Sequence, residues 1–548
     1  MKIGFLQLNS TVGDFAANVK KLLAGYEKAV ALGAEFVLAP ELFLCGYPPR
    51  DLLLRDDFID ANLAALDNAA KQTGRVLLCV GFVDRNPERP GRALRNAAAI
   101  LQNGKIVWRT TKCLLPTYDV FDEDRYFEPA KKITPLEFNG RKIAVTICED
   151  IWNDEDFWPE RLYRHDPVKE AITQGANIVI NISASPWHDG KENVRLEMLR
   201  HVARDEKIPL AQVNLVGAND ELIFDGHSVA LDARGNVIAM GKGFAEDVFV
   251  ADMAGTAPTT GGAFNFPARE ALIFSALSLG IRDYVQKCGF KSVILGLSGG
   301  IDSALTAVLA ADALGRENVL GVAMPARYSS EGSLTDAEAL AKNLGIRFEL
   351  LPIEPVFQAV EEQLKNIFTK LKPDQTEENL QSRLRGTTLM ALSNKFNALV
   401  LTTGNKSEMA VGYCTLYGDM NGALGPIADL FKTDIYKIAR WVNREREVIP
   451  KNSIDKPPSA ELRPNQKDQD SLPPYEILDA ILDLYVVKNF SREQIIQKGF
   501  DAAMVHDVIN KINFTEYKRR QAAPGLKIST RAFGMGRRVP IAQRFRSL

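Results

Sequence analysis

At 548 residues the chain is too long for one hydrophobic core, and domains of about 100–250 residues imply two or three of them. Hydrophobic residues make up 46% and charged residues 25%, with a formal net charge of -2, so the totals describe globular domains without a surface for polyanions, and no nucleic-acid partner is expected. No run of about 18 apolar residues occurs and Met1-Lys2-Ile-Gly-Phe-Leu lacks signal-peptide anatomy, so no membrane partner is expected and a cytoplasmic protein is.

Residues 1–253 alternate short apolar runs with amphipathic stretches. Ile3–Leu8, Phe36–Ala39, Val76–Val80, Ile143–Cys148, Ile178–Ile182 and Leu210–Asn214 predict strands, while Ala16–Leu32 and Asn193–Glu206 carry helical periodicity. Asn103-Gly104 and Arg234-Gly235-Asn236 mark two hairpin turns. The pattern predicts a layered α/β domain with mixed strand directions. Residues 254–267, rich in Gly, Pro and small residues, form a linker. A long helical pattern from Ala268 then leads into apolar runs ending near Gly296, at Val319–Met324 and at Ala398–Thr402, so residues 268–548 predict a doubly wound parallel sheet. Lys451–Pro474 holds five prolines and predicts a mobile loop near a site.

Cys148 ends a predicted strand, where α/β sheets place reactive groups, although a free cysteine in an apolar run is most often buried packing. Glu41 stands at the end of another strand, and Lys112 follows the hairpin strand Ile106–Arg109. A carboxylate, an ammonium and a thiol at three strand ends can hydrolyse an amide. The carboxylate takes the thiol proton and later activates water, the thiolate attacks carbon, and the ammonium stabilises the oxyanion and lowers the thiol pKa. The six cysteines include no Cys-x-x-Cys pair and the five histidines are dispersed, so neither a disulfide framework nor a zinc site is expected.

Pro40-Glu41, Lys112-x-x-Leu-Pro and Ile147-Cys148-Glu149 resemble the Glu-Lys-Cys triad of the nitrilase, or carbon–nitrogen hydrolase, superfamily. The resemblance spans most of residues 1–250 and implies an αββα sandwich. It places Glu123, in Tyr118-Asp-Val-Phe-Asp-Glu123, as a supporting glutamate, and makes Tyr118, Ser185 and Lys191 glutamine contacts. Lys191 reads equally as a solvated charge at a helix start.

In the second half, Val293-Ile-Leu-Gly-Leu-Ser298-Gly299-Gly300-Ile301-Asp302-Ser303 runs from strand through a glycine-rich turn into a helix. Backbone N–H groups, the helix dipole and Ser hydroxyls there suit phosphate oxygens, and Asp302 beside phosphates calls for Mg²⁺ between them. The turn lacks the Gly-Lys-Ser/Thr of a Walker A loop and resembles the pyrophosphate loop of ATP pyrophosphatases, of the adenine nucleotide α-hydrolase-like fold. Arg383 and Arg385 stand at i and i+2 on one short segment, and two guanidiniums there suit phosphates. With Thr402-Thr403-Gly404-Asn405 and Lys456-Pro-Pro-Ser459, these segments resemble NAD synthetases over residues 268–548. The resemblance implies ATP contacts at Gly296, Leu297, Ser298, Gly299, Gly300, Ile301, Asp302, Ser303, Thr403, Lys432 and Ser459. It implies Mg²⁺ at Asp302 and Glu408, and deamido-NAD contacts at Asn379, Arg383, Glu408, Asp419 and Lys518, with Glu408 open between metal and dinucleotide.

A nitrilase-type glutaminase ahead of a pyrophosphate-loop ligase resembles the glutamine-dependent NAD synthetase family. It implies a ligase that adenylates deamido-NAD and aminates it with ammonia from glutamine, with small-molecule substrates only and assembly into a dimer or larger homo-oligomer. Another adenylating ligase joined to an amidase is the competing reading, and a binding protein in which one half has lost its activity is the other.

Overall fold

The computed structural model describes residues 1–154, 156–254 and 265–545, and the chain divides into two units, Met1–Pro267 and Ala268–Leu548. Most of the expected linker, residues 255–264, lies outside the described residues.

In the first unit, alternation of apolar side chains makes two-faced strands, so each sheet buries both faces. One sheet has the order β14-β1-β2-β3-β4-β5, with β1 Lys2–Gln7, β2 Phe36–Leu38, β3 Leu77–Arg85, β4 Leu94–Gln102, β5 Lys105–Thr111 and β14 Asp247–Asp252. The other has the order β13-β12-β9-β8-β7-β6, with β6 Leu136–Phe138, β7 Arg141–Ile147, β8 Ile178–Ser183, β9 Leu210–Asn214, β12 Val229–Leu231 and β13 Val237–Met240; β10 Val216–Asn219 and β11 Leu222–Asp225 form a separate hairpin. Ile3, Phe5, Phe36 and Leu38 meet Val145, Ile147, Ile180 and Ile182 in the core between the sheets. A second core joins Leu6 and Val37 to Leu22 and Leu66 of helices α1 Phe15–Ala31 and α2 Asp56–Lys71. A third joins Ala144 and Val179 to Val168 and Leu199 of helices α3 Pro167–Thr173 and α4 Lys191–Asp205. Three cores separate four layers, which is the αββα sandwich.

The second unit is built on four parallel strands in the order β17-β16-β15-β18, with β15 Val293–Gly296, β16 Val319–Ala323, β17 Arg347–Leu350 and β18 Leu399–Val400. Helix α5 Arg269–Lys287 leads into β15, and helices cross between the strands: α6 Ile301–Leu314, α7 Glu331–Leu344, α8 Glu354–Phe368 and α9 Gln375–Phe396. Strand order reverses between β15 and β18, so the crevice at the carboxyl ends there is where such a sheet binds its ligand. Downstream lie α10 Lys406–Val411, α11 Lys432–Val442, α12 Lys451–Asp455, α13 Tyr475–Leu482, α14 Arg492–Gln497 and α15 Ala502–Phe514, the last three gathering with α10 around Leu478, Ile495, Val508 and Ile509.

Three expectations change. The run at Val76–Val80 continues to Arg85 because β3 pairs with β4 from Leu78↔Leu101 to Arg85↔Leu94. The strand expected over Ala398–Thr402 contracts to Leu399–Val400. Lys451–Pro474 is not all loop: it opens with α12, whose Ser453 and Ile454 are buried, and includes a 3₁₀ turn at Asp468–Asp470.

Candidate active sites

The first site forms where strand ends of the two sheets in the sandwich converge. Glu41 follows β2 in a turn that crosses β3 so closely that a Cβ on Gly81 would stand 2.2 Å from the Leu42 nitrogen. Glycine at position 81 is therefore required for the turn to present Glu41. Lys112 follows β5, and its Nζ donates to Glu41 Oε1 at 2.7 Å and to both Glu123 oxygens at 2.9 Å. Asn96 Nδ2 donates to Glu41 Oε1 at 2.8 Å and to Glu123 Oε2 at 3.3 Å, Tyr47 Oη donates to Glu123 Oε1 at 3.0 Å, and the Ala184 N–H donates to Glu41 Oε2 at 3.0 Å. Lys112 and Glu41 are wholly buried.

Cys148 opens a 3₁₀ turn at the end of β7 with φ +43°, in the left-handed region that non-glycine residues avoid. Asp150 holds that turn to the segment after Lys112, accepting from the N–H groups of Ile147 at 3.0 Å and of Cys113 and Leu114 at 2.9 Å. Burial pushes Asp150 up to about 6 against those hydrogen bonds. The thiol departs from expectation: burial, with Glu41 adding to it, holds Cys148 well above the ordinary thiol range, and the lowering by Lys112 and Ser183 does not offset this. The resting nucleophile is thus a thiol, and a base must take its proton. Burial raises Glu123 to about 7 despite Lys112. Lys112 stays an ammonium, since Glu123 and Glu41 outweigh the burial that disfavours its charge.

Around the nucleophile, Tyr118 Oη donates to both oxygens of Glu149 at 3.0 Å and Tyr163 Oη to Glu149 Oε1 at 3.1 Å. Ser185 is buried, its N–H donating to Asn214 Oδ1 at 3.0 Å. Lys191 begins α4; its Nζ donates to Pro186 O at 2.7 Å and lies 5.4 Å from the centre of the Trp152 ring. Sequence reading missed Asn96, Tyr47 and Tyr163. Asn96 alone left a signal, as the one amide in the apolar run Leu94-Arg-Asn-Ala-Ala-Ala-Ile-Leu.

The second site is a cavity of about 310 Å³, large enough for a ligand site. Its wall carries residues 296–298 and 300–303 of the glycine-rich loop together with Thr403, Glu408, Asp419, Lys432 and Ser459. Gly299 turns inward to the protein at φ +76°, and a Cβ there would stand 2.2 Å from the Ser333 carbonyl oxygen. Ser298 and Ser303 hydroxyls lie 3.1 Å apart, and Ser298 Oγ accepts the Gly300 N–H at 3.2 Å, so the loop is preset at the start of α6. Lys432 Nζ donates to Asp302 Oδ2 and, at 3.2 Å, to Glu408 Oε1, while Asn405 Nδ2 donates to Asp302 Oδ1 at 2.9 Å. Burial raises Glu408 to about 8; Lys432 opposes this and Asp302 and Asp468 add to it. Asp419 is pushed up to about 6 by burial and accepts the Thr415 N–H at 2.7 Å.

Three expected dinucleotide contacts are not on the cavity wall. Asn379 Oδ1 accepts the Thr415 hydroxyl at 2.8 Å, and Lys518 Nζ donates to the Gly412 and Cys414 carbonyls at 2.8 and 2.7 Å. Arg383 is exposed and donates to Leu416 O at 3.1 Å. On the continuous helix α9, positions i and i+2 face different ways, so the segment does not aim both guanidiniums together; it is Arg385 that reaches the cavity.

Known proteins resemble the chain across both units. Residues 2–257 match the carbon-nitrogen hydrolase family and residues 273–522 the NAD synthase family. A glutamine-dependent NAD(+) synthetase of Synechocystis sp. is 48% identical over 99% of this chain and 99% of its own, and one of Thermotoga maritima is 45% identical over 100% and 99%. The solved glutamine-dependent NAD+ synthetase of Acinetobacter baumannii, in complex with adenosine diphosphate, superposes with a TM-score of 0.77 at 37% identity over 98% of each chain. With full-length relatives at that identity and both of its units matched in order, the chain belongs to the glutamine-dependent NAD(+) synthetase family.

Proposed function

We propose that the protein forms NAD from deamido-NAD, ATP, L-glutamine and water, releasing AMP, diphosphate and L-glutamate, with one half-reaction in each unit. The observation that carries this reading is the match of full-length relatives across both units, each of which holds its own buried lysine-carboxylate site. The competing ligase joined to an unrelated amidase is not favoured, because those relatives span both units.

In the first unit Cys148 is the nucleophile and Glu41 the base. Glu41 takes the thiol proton as sulfur attacks the glutamine carboxamide carbon, and Lys112 Nζ stabilises the oxyanion. The proton passes to the leaving nitrogen, ammonia departs and a thioester remains; Glu41 then activates water to release glutamate. Glu123 and Asn96 keep Lys112 and Glu41 in register. Tyr118, Ser185 and Lys191 line the glutamine pocket, and Glu149, buried and held by two tyrosines near Lys191, offers a negative charge for the substrate ammonium.

In the second unit the nicotinate carboxylate of deamido-NAD attacks the α-phosphorus of ATP and displaces diphosphate. Ammonia attacks the acyl carbon of the adenylate and AMP departs, leaving the amide of NAD. The loop 296–303, Thr403, Lys432 and Ser459 hold ATP; Asn379, Arg383, Asp419 and Lys518 hold the dinucleotide. Among the described residues no three acidic, imidazole or thiol side chains gather to hold a metal alone. Asp302 and Glu408 nevertheless supply hard oxygen donors where Asp302, Glu408 and Asp468 outnumber Lys432, which fits Mg²⁺ completed by phosphate oxygens. Bound there, the ion would offset charge on the departing diphosphate. Among the described residues no helix is long and apolar enough to cross a membrane. A cytoplasmic location and assembly into a dimer or larger oligomer complete the reading.

The test is NAD formation with glutamine or ammonium as donor, in wild type and Cys148→Ala. Wild type uses both donors and the variant only ammonium. No NAD from either donor in folded, ATP-binding wild type overturns the assignment.

A further inference from the structure

Three cations stand on the wall of the second unit's cavity: Lys432, Lys456 and Arg385. Two are neutralised where they stand, Lys432 by Asp302 and Glu408 and Lys456 by Asp336 at 3.0 Å. Arg385 is different. Its Nε donates to the Met324 carbonyl at 3.0 Å, and among the described residues no carboxylate forms an ion pair with its guanidinium. Burial draws the group down to about 10, against Glu461, the one acid that acts on it. That acid is committed elsewhere: the Glu461 carboxylate accepts from the Ser330 N–H at 3.1 Å and hydroxyl at 2.8 Å, and from the Ser333 hydroxyl at 2.7 Å, at the N-terminus of α7. Arg385 is half-buried, and a guanidinium drawn partly out of water without a counter-charge is costly to the free protein; such groups persist where a ligand supplies the missing anion.

We propose that Arg385 is a phosphate-binding residue of the adenylation step, its Nη groups receiving oxygens of the ATP phosphate chain opposite the charge that Lys432 balances. The proposal rests on the ATP-using reading above. The bond from Nε to Met324 O sets the plane of the guanidinium and leaves the rest of the fork for two parallel hydrogen bonds, a role a lysine cannot reproduce. The cavity is also reached by the dinucleotide, which carries a diphosphate of its own. ATP is favoured because Arg385 shares the cavity wall with the whole run 300–303, whereas three of the five dinucleotide candidates, Asn379, Arg383 and Lys518, lie off it and only Glu408 and Asp419 lie on it.

The experiment uses the full chain with ammonium as nitrogen donor, so that the first unit's chemistry does not enter, and compares wild type, Arg385→Met and Arg385→Lys. KM for ATP, KM for deamido-NAD, kcat for AMP release, inhibition by inorganic pyrophosphate and the unliganded melting temperature are measured. For Arg385→Met we expect KM for ATP to rise by about tenfold or more, kcat to fall by about 10²–10³-fold, and pyrophosphate inhibition to weaken. The unliganded melting temperature should hold or rise, because an uncompensated charge has gone; a group that only supports the fold would lower it. Arg385→Lys should recover only part of kcat. ATP parameters within about twofold of wild type overturn the proposal, as does a lowered melting temperature with KM for ATP unchanged. An effect confined to KM for deamido-NAD also overturns it and moves the residue to the dinucleotide. Absence of AMP release in wild type itself would instead overturn the ATP-using reading.

Discussion

Both units are built around a buried lysine held by two carboxylates, and they differ in what else can reach those charges. Lys112 and Glu41 have no exposure and Glu123 has 7%, whereas Asp302 and Glu408, on either side of a buried Lys432, keep 18% and 17% toward their cavity. The sealed cluster suits a neutral carboxamide: its charges are hydrogen-bonded to one another out of reach of solvent and act on charge that develops only during reaction. The open cluster suits a substrate that is itself an anion. There a third acid, Asp468, acts on the lysine, and Arg385, which forms no ion pair among the described residues, stands on the wall, an arrangement that phosphates and a metal ion would complete on the proposed function.

Removing each lysine should break the likeness most. Lys112→Met leaves Glu41 and Glu123 buried without a counter-charge, and the cost should be about 3–5 kcal/mol in the transition of the first unit, with glutamine hydrolysis down by about 10³-fold or more. Lys432→Met should cost clearly less stability, because Asp302 and Glu408 retain access to solvent, yet abolish AMP release with either donor. Denaturant unfolding followed beside both assays checks this. Equal stability losses would show that the two clusters are equally sealed and remove the basis of the contrast.

A pH profile sharpens it. Glu123 is held up at about 7 chiefly by burial, so below that pH it takes a proton and stops sharing Lys112. The ammonium then rests on Glu41 alone and ties up the oxygen that would receive the thiol proton. Glutamine kcat/KM should therefore fall below pH 7, by up to about tenfold per unit, while Glu123→Gln should run low and flat from about pH 6 to 8. A variant that keeps the wild-type acid limb would assign that limb to another group.

Much of this was legible in the chain because the signals were local. Strand ends at Glu41, Lys112 and Cys148, and the loop from Ser298 to Ser303, are written in consecutive residues, and β8, β9 and α1 follow apolar periodicity. What stayed hidden depends on tertiary partners. β4 carries Ala97-Ala-Ala, which favours no strand by propensity and becomes one through pairing on both sides with β3 and β5. β17 is a short polar edge. The rise of the Cys148 thiol comes from depth of burial, which no spacing of residues reveals. Arg383 and Arg385 looked equivalent until α9 turned one to solvent and the other to the cavity.

The smallest effect separates the sites through their amides. Each lysine clamp is braced by an asparagine: Asn96 Nδ2 binds both acids of the first cluster, and Asn405 Nδ2 binds Asp302 in the second. Asn96 does nothing else with that nitrogen, so Asn96→Ala should loosen the alignment of Glu41 and lower glutamine-dependent turnover by about tenfold, leaving the ammonium-dependent rate as it was. Asn405 also caps α10, its Oδ1 accepting the Glu408 N–H at 2.9 Å. Asn405→Ala therefore shifts a helix start as well as an acid, and should lower the rate with both donors and cost about 1 kcal/mol of stability. If Asn96→Ala slowed the ammonium reaction too, the first cluster would be acting on more than glutamine, and its isolation from the adenylation chemistry would have to be given up.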